Sequence, residues 1–213
     1  FQKHLMARGG LPLEKIHVKP NFYPGKPSVV PWSQRGNYVV FVGRLSEEKG
    51  VHTLLKAWRL WGEQAPFLRI IGDGPLRDEL QQQANGLPIE FMGQIPAAEA
   101  QLQIANARLL VLPSECFETF GLVLTEAYAF GTPVAVSAIG PLPSIAQHGV
   151  NGVVFPPANP AGMLAVLQAG WQVSYSSGFG PTLSTAYNRY DTSINGWSTS
   201  VEQKLFAEKL ILD

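Results

Sequence analysis

Two glutamates, Glu118 and Glu126, stand eight positions apart where an apolar run gives way to a helical pattern. If helical rise applies between them, the separation spans roughly 12 Å, which is close to the reach of a nucleotide-diphosphate-sugar. The amides of Phe120, Gly121 and Leu122 would open that helix, where free N–H groups and the helix dipole favour an anion such as a diphosphate. The spacing therefore predicts hydroxyl-binding carboxylates on either side of a phosphate-binding turn.

The same two glutamates have simpler interpretations. Glu118 could cap the helix, and Glu126 could be a solvated residue on its exposed face. The setting favours the binding interpretation, because a buried strand, a loop, a glycine and a helix follow one another here.

A second polar segment, residues 43–50, also lies between an apolar run and a helical pattern. It begins at Gly43 and carries Arg44 and Lys49. A guanidinium offers a planar fork to phosphate oxygens and an ammonium offers a compact charge, so this segment is a candidate for holding a diphosphate. The alternative is ordinary surface charge, neutralised by the intervening Glu47 and Glu48.

Two glycine-containing turns could bring backbone close to a ligand. Gly72 and Gly74 begin like a dinucleotide-binding fingerprint, but Arg77 occupies the third glycine position, so the fingerprint fails. The tight turn still permits close approach of a ligand to the backbone. Gly93 and Ile95 follow the next apolar run and could line a flat base, or form a plain strand-to-helix turn.

Composition excludes several other classes of protein. Equal numbers of basic and acidic residues, 16 of each in 213, argue against a nucleic-acid partner. The single cysteine, Cys116, excludes an internal disulfide and is expected to be inert. The four histidines lack metal-ligand spacing, so we expect no metal and no cofactor.

The elements that must position these residues alternate between strands and helices. Strands are predicted at 38–42, 67–71, 89–91, 109–112, 133–136 and 152–155, and helices at 51–58, from near 75, at 97–106, 121–130 and 160–169. This alternation is typical of an α/β fold with a Rossmann-like, doubly wound parallel sheet, whose strands all direct their carboxyl ends to one edge. A further strand is predicted at Ile16–Val18 and a terminal helix at 200–212.

Together these residues resemble the C-terminal, donor-binding domain of the retaining GT-B glycosyltransferases of the "group one" family. Its Glu-x7-Glu element, in a P-S-x-x-E-x-F-G-L context, matches Glu118 to Glu126. The G-R-L-x-x-x-K-G loop matches residues 43–50, and the G-x-G-P turn matches residues 72–75. A further glycine pattern is echoed at 149–152, so the resemblance covers about residues 37–170.

The resemblance implies a role for each position. Arg44 and Lys49 would neutralise the donor diphosphate and stabilise the leaving nucleotide without a metal. Glu118 would bind hydroxyls of the donor sugar, and Glu126 those of the ribose. The remaining donor-binding positions implied are Gly43, Gly72, Gly74, Gly93, Ile95, Phe120, Gly121 and Leu122.

The resemblance also implies a division of labour between domains. Residues 1–36 would be the end of a missing N-terminal domain and the interdomain linker, 37–170 the nucleotide-sugar-binding domain, and 171–213 a tail with a possible terminal helix. Since the N-terminal domain supplies the acceptor site and a catalytic histidine in this family, we expect donor binding here but little or no transfer. The expected partners are a nucleotide-sugar and that N-terminal domain, with the acceptor unidentified.

The expected location is the cytoplasm, with peripheral attachment to the inner face of the membrane through the missing domain left open. Two other interpretations of the chain remain open. It could be a non-catalytic module that binds a nucleotide-sugar, although intact Arg44, Lys49 and Glu118 favour a transferase. It could also be an epimerase or phosphorylase of the same fold, but no pyridoxal-phosphate lysine or second basic cluster is evident in the sequence.

Overall fold

Short apolar segments form the strands of a single sheet in the computed structural model, which describes residues 2–19, 21–119, 121–146, 148 and 151–177. The strands are β1 Tyr38–Val42, β2 Phe67–Ile71, β3 Ile89–Gly93, β4 Leu109–Leu112, β5 Val134–Ser137 and β6 Gly152–Phe155. All pairs are parallel, and the order is β3-β2-β1-β4-β5-β6. Central strands β4 and β5 are buried along their whole length, as continuous apolar runs predict.

Helices cover both faces of this sheet. The helices of the described residues are α1 Gln2–Arg8, α2 Val51–Trp61, α3 Arg77–Gln83, α4 Ala97–Asn106, α5 Leu122–Ala129, α6 Leu142–Ile145 and α7 Pro160–Ser177, and α1 belongs to neither core. Trp58 of α2 and Met163 of α7 belong to the core on one face. Ile104 of α4 and Leu124 of α5 belong to the core on the other. The predicted doubly wound architecture is therefore confirmed.

The strand order reverses between β1 and β4. From β1 the chain builds outward to β2 and β3, and it then returns to β4 on the other side and continues to β5 and β6. At such a switch point the chain leaves the two strands toward opposite sides of the sheet, and a crevice lies at the carboxyl edge. The two segments that the sequence singled out, residues 43–50 and 113–121, follow β1 and β4 and meet at this crevice.

The strand predicted at Ile16–Val18 is wrong. These residues are not part of any strand in the described chain, and Val18 is 68% exposed. A strand needs a neighbour for its backbone groups, and β-branched composition alone does not supply one.

Two other differences are smaller: α7 extends to Ser177, beyond the predicted 169, and α6 is a single turn after Pro141. The helix predicted at 200–212 lies outside the described residues.

The segment before β1 is fastened to the amino edge of the sheet by Arg35. This side chain is 5% exposed, and its Nε donates to the carbonyl of Val30 at 3.0 Å. One terminal nitrogen, Nη1, donates to the carbonyl of Ala107 (3.1 Å) and the hydroxyl of Thr132 (2.8 Å), and Nη2 donates to the carbonyl of Phe130 (2.9 Å). Ala107 precedes β4 and Thr132 precedes β5. One guanidinium therefore joins the segment before β1 to the connections that lead into β4 and β5.

Within the described residues, no helix has the length and apolarity needed to cross a membrane.

Candidate functional site at the carboxyl edge of β1 and β4

Three loops meet at the carboxyl edge, and one of them is bonded directly to each of the other two. We name them the β1 loop (residues 43–50), the β2 loop (residues 72–76) and the β4 loop (residues 113–121). The amide of Leu45 donates to the carbonyl of Asp73 at 2.9 Å, and the amide of Leu76 donates back to Leu45 at 3.1 Å. The amide of Glu115 donates to the carbonyl of Glu48 at 2.9 Å. The β1 loop is thus held on both sides by backbone contacts.

Glycines make this close packing possible. Gly50 has a φ of +66°, and a Cβ there would lie 2.0 Å from the carbonyl oxygen of Pro113. Gly72 has a φ of +130°, and its Cβ would lie 1.9 Å from the carbonyl oxygen of Gly43. A Cβ on Gly74 would lie 2.3 Å from the oxygen of Leu45. Loop packing alone therefore accounts for these glycines, and the contact of Gly43, Gly72 and Gly74 with a donor stays a prediction.

The central feature of the crevice is an ion pair between the β1 loop and the β4 loop. The Nζ of Lys49 lies 2.5 Å from Oε1 of Glu118, with the two side chains 24% and 12% exposed. The hydroxyl of Ser114 donates to the same carboxylate oxygen at 2.7 Å. Two segments separated by about seventy residues of sequence therefore meet at one carboxylate, as the edge argument predicts.

Glu118 does not cap α5. The N-cap position is Gly121, in the left-handed region at φ +76°, and no side chain caps the helix by hydrogen bonding. The carboxylate is instead bonded to Lys49 and Ser114, so the capping interpretation is wrong. Leu122 begins the helix and is 63% exposed at the crevice. Phe120, the first residue of the predicted phosphate-binding turn, lies outside the described residues, as do Gly149 and Val150 of the later glycine pattern.

Glu126 is held by a neighbour and is not a solvated helix residue. It is half-buried in α5, and its Oε1 accepts a hydrogen bond from Nε2 of Gln101 at 3.0 Å. The amide oxygen of Gln101 in turn accepts from the hydroxyl of Tyr23 at 3.3 Å, so the segment before β1 reaches this carboxylate through one intermediate. Sequence reasoning missed both Gln101 and Tyr23, since neither stands in a recognisable motif.

Arg44 extends from the β1 loop and is exposed. A hydrogen bond from the Ser46 hydroxyl, at 2.6 Å, holds the pKa of Glu48 below its usual value, and the charges of Lys49 and Arg44 act in the same direction. Glu48 therefore remains a carboxylate beside these cations. The ion pair of Lys49 is nonetheless with Glu118, so neutralisation by Glu47 and Glu48 is the wrong interpretation for this lysine.

The region predicted to line a base is built into the β3 end of the sheet. Gly93 closes β3 with a φ of +68°, and its carbonyl already accepts the amide of Gly72 at 2.8 Å. Ile95 is half-buried and packs against one of the two cores. Contact of Gly93 and Ile95 with a base stays a prediction.

The thiol of Cys116 is half-buried and lies in the β4 loop, two residues before Glu118. Burial raises its pKa, and the negative charge of Glu118 adds to that effect, while Lys49 opposes it. A raised pKa leaves little thiolate at neutral pH, which agrees with the expected inert residue. Among the described residues, no three His, Cys, Asp or Glu side chains are grouped closely enough to hold a metal ion.

Comparison with known proteins identifies the family. Residues 26–168 match the model of the family described as glycosyl transferases group 1. An uncharacterized glycosyltransferase of Methanocaldococcus jannaschii is 36% identical over 127 residues, which are 57% of this chain and 32% of the relative. A GDP-mannose-dependent alpha-mannosyltransferase of Corynebacterium glutamicum is 39% identical over 139 residues, 62% of this chain and again 32% of the relative. The chain therefore spans about a third of the length of these curated relatives.

The fold also matches solved structures. HepE of Anabaena, in complex with UDP and glucose, superposes with a TM-score of 0.73 over 98% of this chain and 60% of that one, at 22% sequence identity. At that identity the likeness concerns the fold, and it agrees with the Rossmann-like half of a GT-B architecture expected from the sequence. With the family model covering most of the chain, the protein belongs to the glycosyl transferases group 1 family.

Proposed function

We propose that this chain is the donor-binding part of a retaining glycosyltransferase and that it binds a nucleotide-diphosphate-sugar in the crevice between the β1 loop and the β4 loop. The observation that carries the proposal is the bond between Lys49 and Glu118 at the switch point of the sheet. An ammonium and a carboxylate held in contact across a ligand crevice provide the two groups that a sugar diphosphate requires, a cation for phosphate and an acceptor for hydroxyls.

In this proposal the cations act on the leaving group. When the bond between the anomeric carbon and the diphosphate oxygen breaks, negative charge grows on the diphosphate, and Lys49 and Arg44 offset it. Fixed positive groups lower the barrier because they do not have to reorganise as the charge develops. The amides at the start of α5, around Gly121 and Leu122, add to the same field.

The two carboxylates bind hydroxyl groups at either end of the donor. Glu118 accepts hydrogen bonds from the sugar, and Glu126, oriented by Gln101, accepts those of the ribose. An acceptor hydroxyl then forms the new bond to the anomeric carbon on the face from which the diphosphate departs, so the configuration is retained, and the hydroxyl proton passes to the departing diphosphate. We place the acceptor site in a preceding domain, so that this chain alone performs little or no transfer.

Two of the proteins compared above differ in the nucleotide base of their donor, and the sequence leaves ADP open as a third base. The Anabaena protein is in complex with UDP and glucose, whereas the Corynebacterium relative depends on GDP-mannose. Both donors share the diphosphate and the sugar hydroxyls, which are the parts that Lys49 and Glu118 would bind. The comparison of the two donors therefore belongs in the first experiment.

The test is calorimetric titration of the 213-residue chain with UDP-glucose, GDP-mannose and ADP-glucose. We expect one of them to bind, and we expect Glu126→Ala to weaken that binding about tenfold through the loss of charge-assisted hydrogen bonds. Glu99→Ala, which removes an exposed glutamate from α4, serves as the matched control and should leave binding unchanged. Failure of all three donors to bind would refute the proposal, and transfer by this chain at ordinary enzyme rates would refute its division of labour.

A further inference from the structure

Ser114, the second residue after β4, is fixed at both of its polar ends. It is fully buried, and its hydroxyl donates to Oε1 of Glu118 at 2.7 Å. Its carbonyl oxygen accepts a hydrogen bond from the hydroxyl of Ser137, at the end of β5, at 2.5 Å. Ser137 is also fully buried. The end of β5 thus holds the backbone of Ser114, and Ser114 holds the carboxylate.

Two donors share a single oxygen of that carboxylate. Oε1 of Glu118 accepts from both Lys49 and Ser114, and no group of the described residues donates to Oε2. A carboxylate has acceptor sites on both oxygens, so the second oxygen is available to an incoming hydroxyl. The arrangement fixes which oxygen faces the protein and which is left for a ligand.

The two donors differ in what a phosphate ligand does to them. Lys49 is 24% exposed and carries a flexible cation, which an incoming diphosphate can draw toward itself. Ser114 is buried and neutral, so a diphosphate has no means of displacing it. The bond from Ser114 to Glu118 therefore does not depend on the position of the Lys49 side chain.

The geometry points to Ser114 as a positioning residue for Glu118 in the donor-bound state, with Oε2 as the atom that accepts the sugar hydroxyl. This inference rests on the proposed function, because it gives an orientation to the carboxylate that we place against the sugar. It assigns to Ser137 a weaker share of the same task, through the backbone of Ser114.

A purely structural role for Ser114 leads to a different expectation. If the hydroxyl only satisfies a buried polar group, Ser114→Ala lowers the melting temperature and changes the affinity for sugar-bearing and sugar-free nucleotides equally. If the hydroxyl positions Glu118, Ser114→Ala lowers the affinity for the sugar-bearing nucleotide and leaves the affinity for the sugar-free nucleotide nearly unchanged. The decisive quantity is therefore the ratio of the affinity for UDP-glucose to that for UDP, or for GDP-mannose to GDP if that is the pair that binds.

We expect Ser114→Ala to reduce this ratio about tenfold while the affinity for the free nucleoside diphosphate changes less than about twofold. Ser114→Thr, which keeps a hydroxyl, should keep the ratio close to its wild-type value. Ser144→Ala is the control for the loss of a serine hydroxyl, since that hydroxyl bonds the carbonyl of Pro141 at 2.7 Å and not the carboxylate of Glu118. It should leave the ratio unchanged.

A double-mutant cycle shows whether the effect passes through Glu118. In a Glu118→Gln background, Ser114→Ala should add no further reduction of the ratio, and a full additional tenfold loss would overturn the inference. If Ser114→Ala does not fold, Ser137→Ala takes its place. We then expect a smaller reduction of the same ratio, and an unchanged ratio would contradict the inference.

A wild-type chain that binds none of these nucleotides refutes the proposed function. A wild-type chain that prefers the sugar-bearing form, with Ser114→Ala keeping that preference, refutes this inference alone.

Discussion

The two edges of the sheet each carry a cation that joins separate loops, but the two cations are bonded in different ways. At the carboxyl edge Lys49 is 24% exposed and pairs with the carboxylate of Glu118. At the amino edge Arg35 is 5% exposed and donates to three carbonyls and one hydroxyl. An anionic ligand can exchange places with a carboxylate at an accessible ammonium, whereas it can neither reach nor replace backbone carbonyls around a buried guanidinium.

The comparison shows that charge type alone does not mark a functional residue. Both cations lie at loop junctions of the same sheet, yet only Lys49 lies at the switch point where the strand order reverses. Its loop ends at Gly50, a positive-φ glycine, and is bonded to both neighbouring loops, so the backbone that carries the Lys49 side chain is held in place. We therefore expect changes at the amino edge to act on stability and changes at Lys49 to act on binding.

The largest effect is expected from Arg35→Met. This change leaves the carbonyls of Val30, Ala107 and Phe130 without their donor in a buried setting, and we expect the free energy of unfolding to fall by about 4 kcal/mol. Urea denaturation measures it. Arg59→Met, at an exposed arginine that bonds only the carbonyl of Gln83 among described partners, is the control and should cost less than about 1 kcal/mol. A loss of nucleotide affinity in folded Arg35→Met would contradict the separation of the two edges.

A slightly smaller loss is expected from Gly50→Ala at the carboxyl edge. The added Cβ would meet the carbonyl oxygen of Pro113 at 2.0 Å, so the β1 loop and β4 loop must separate, at a cost of about 3 kcal/mol. Gly86→Ala has a comparable φ of +79° with nothing within 4 Å, and it should cost about 1 kcal/mol. Equal unfolding midpoints for the two variants would show that the loop contact is unimportant.

Lys49→Ala should lower nucleotide affinity more than stability, whereas Arg35→Met should lower stability and leave affinity unchanged. We expect the affinity for the nucleoside diphosphate to fall about thirtyfold, equivalent to about 2 kcal/mol, and the free energy of unfolding to fall by less than about 1 kcal/mol. Calorimetry and urea denaturation on the same sample give both numbers. Lys56→Ala, at an exposed lysine of α2, is the matched control for charge. A large loss of stability without a loss of affinity would place Lys49 with Arg35.

The smallest expected effect is a change in the alkylation rate of Cys116, and whether the rate rises or falls depends on which charge of the crevice is removed. Burial and Glu118 raise the pKa of Cys116, so alkylation at pH 8 should be slower than that of a free cysteine and should increase as pH rises. Glu118→Gln removes a negative charge, lowers that pKa and should speed alkylation a few-fold. Lys49→Ala removes a positive charge and should slow it. Changes of the same sign in both variants would contradict the placement of the thiol between these charges.

Much of the architecture follows from the sequence because it depends on local periodicity. The apolar runs ending at Val42, Ile71 and Leu112 are each followed directly by glycine or proline, so the ends of these strands are predictable. The segment at Ile16 and Val18 has similar composition, but whether it joins a sheet depends on a partner strand, which no local pattern supplies. Tertiary pairing decides that case.

The site is predictable to the level of loops. That Lys49 and Glu118 meet follows from the rule that parallel strands end at one edge, given the alternation of strands and helices. The partners Ser114 and Gln101 could not be assigned from the sequence, because a hydrogen bond between side chains depends on rotamers and helix placement that only the folded core fixes. Arg35 carries no signal for the same reason, since its carbonyl partners come from distant turns.

The central claim is that the diphosphate of the donor binds at the junction of the β1 loop and the β4 loop. The most direct measurement is a crystal structure of this chain with the nucleotide-sugar that binds best in calorimetry. We predict density for the diphosphate beside Lys49 and the first turn of α5, with the sugar against Glu118. A separate open depression of the surface, beside Gln82, Asn85 and Phe91 on the flank of α3 and β3, offers the alternative position. A nucleotide bound there, with the Lys49–Glu118 pair undisturbed, would contradict the account.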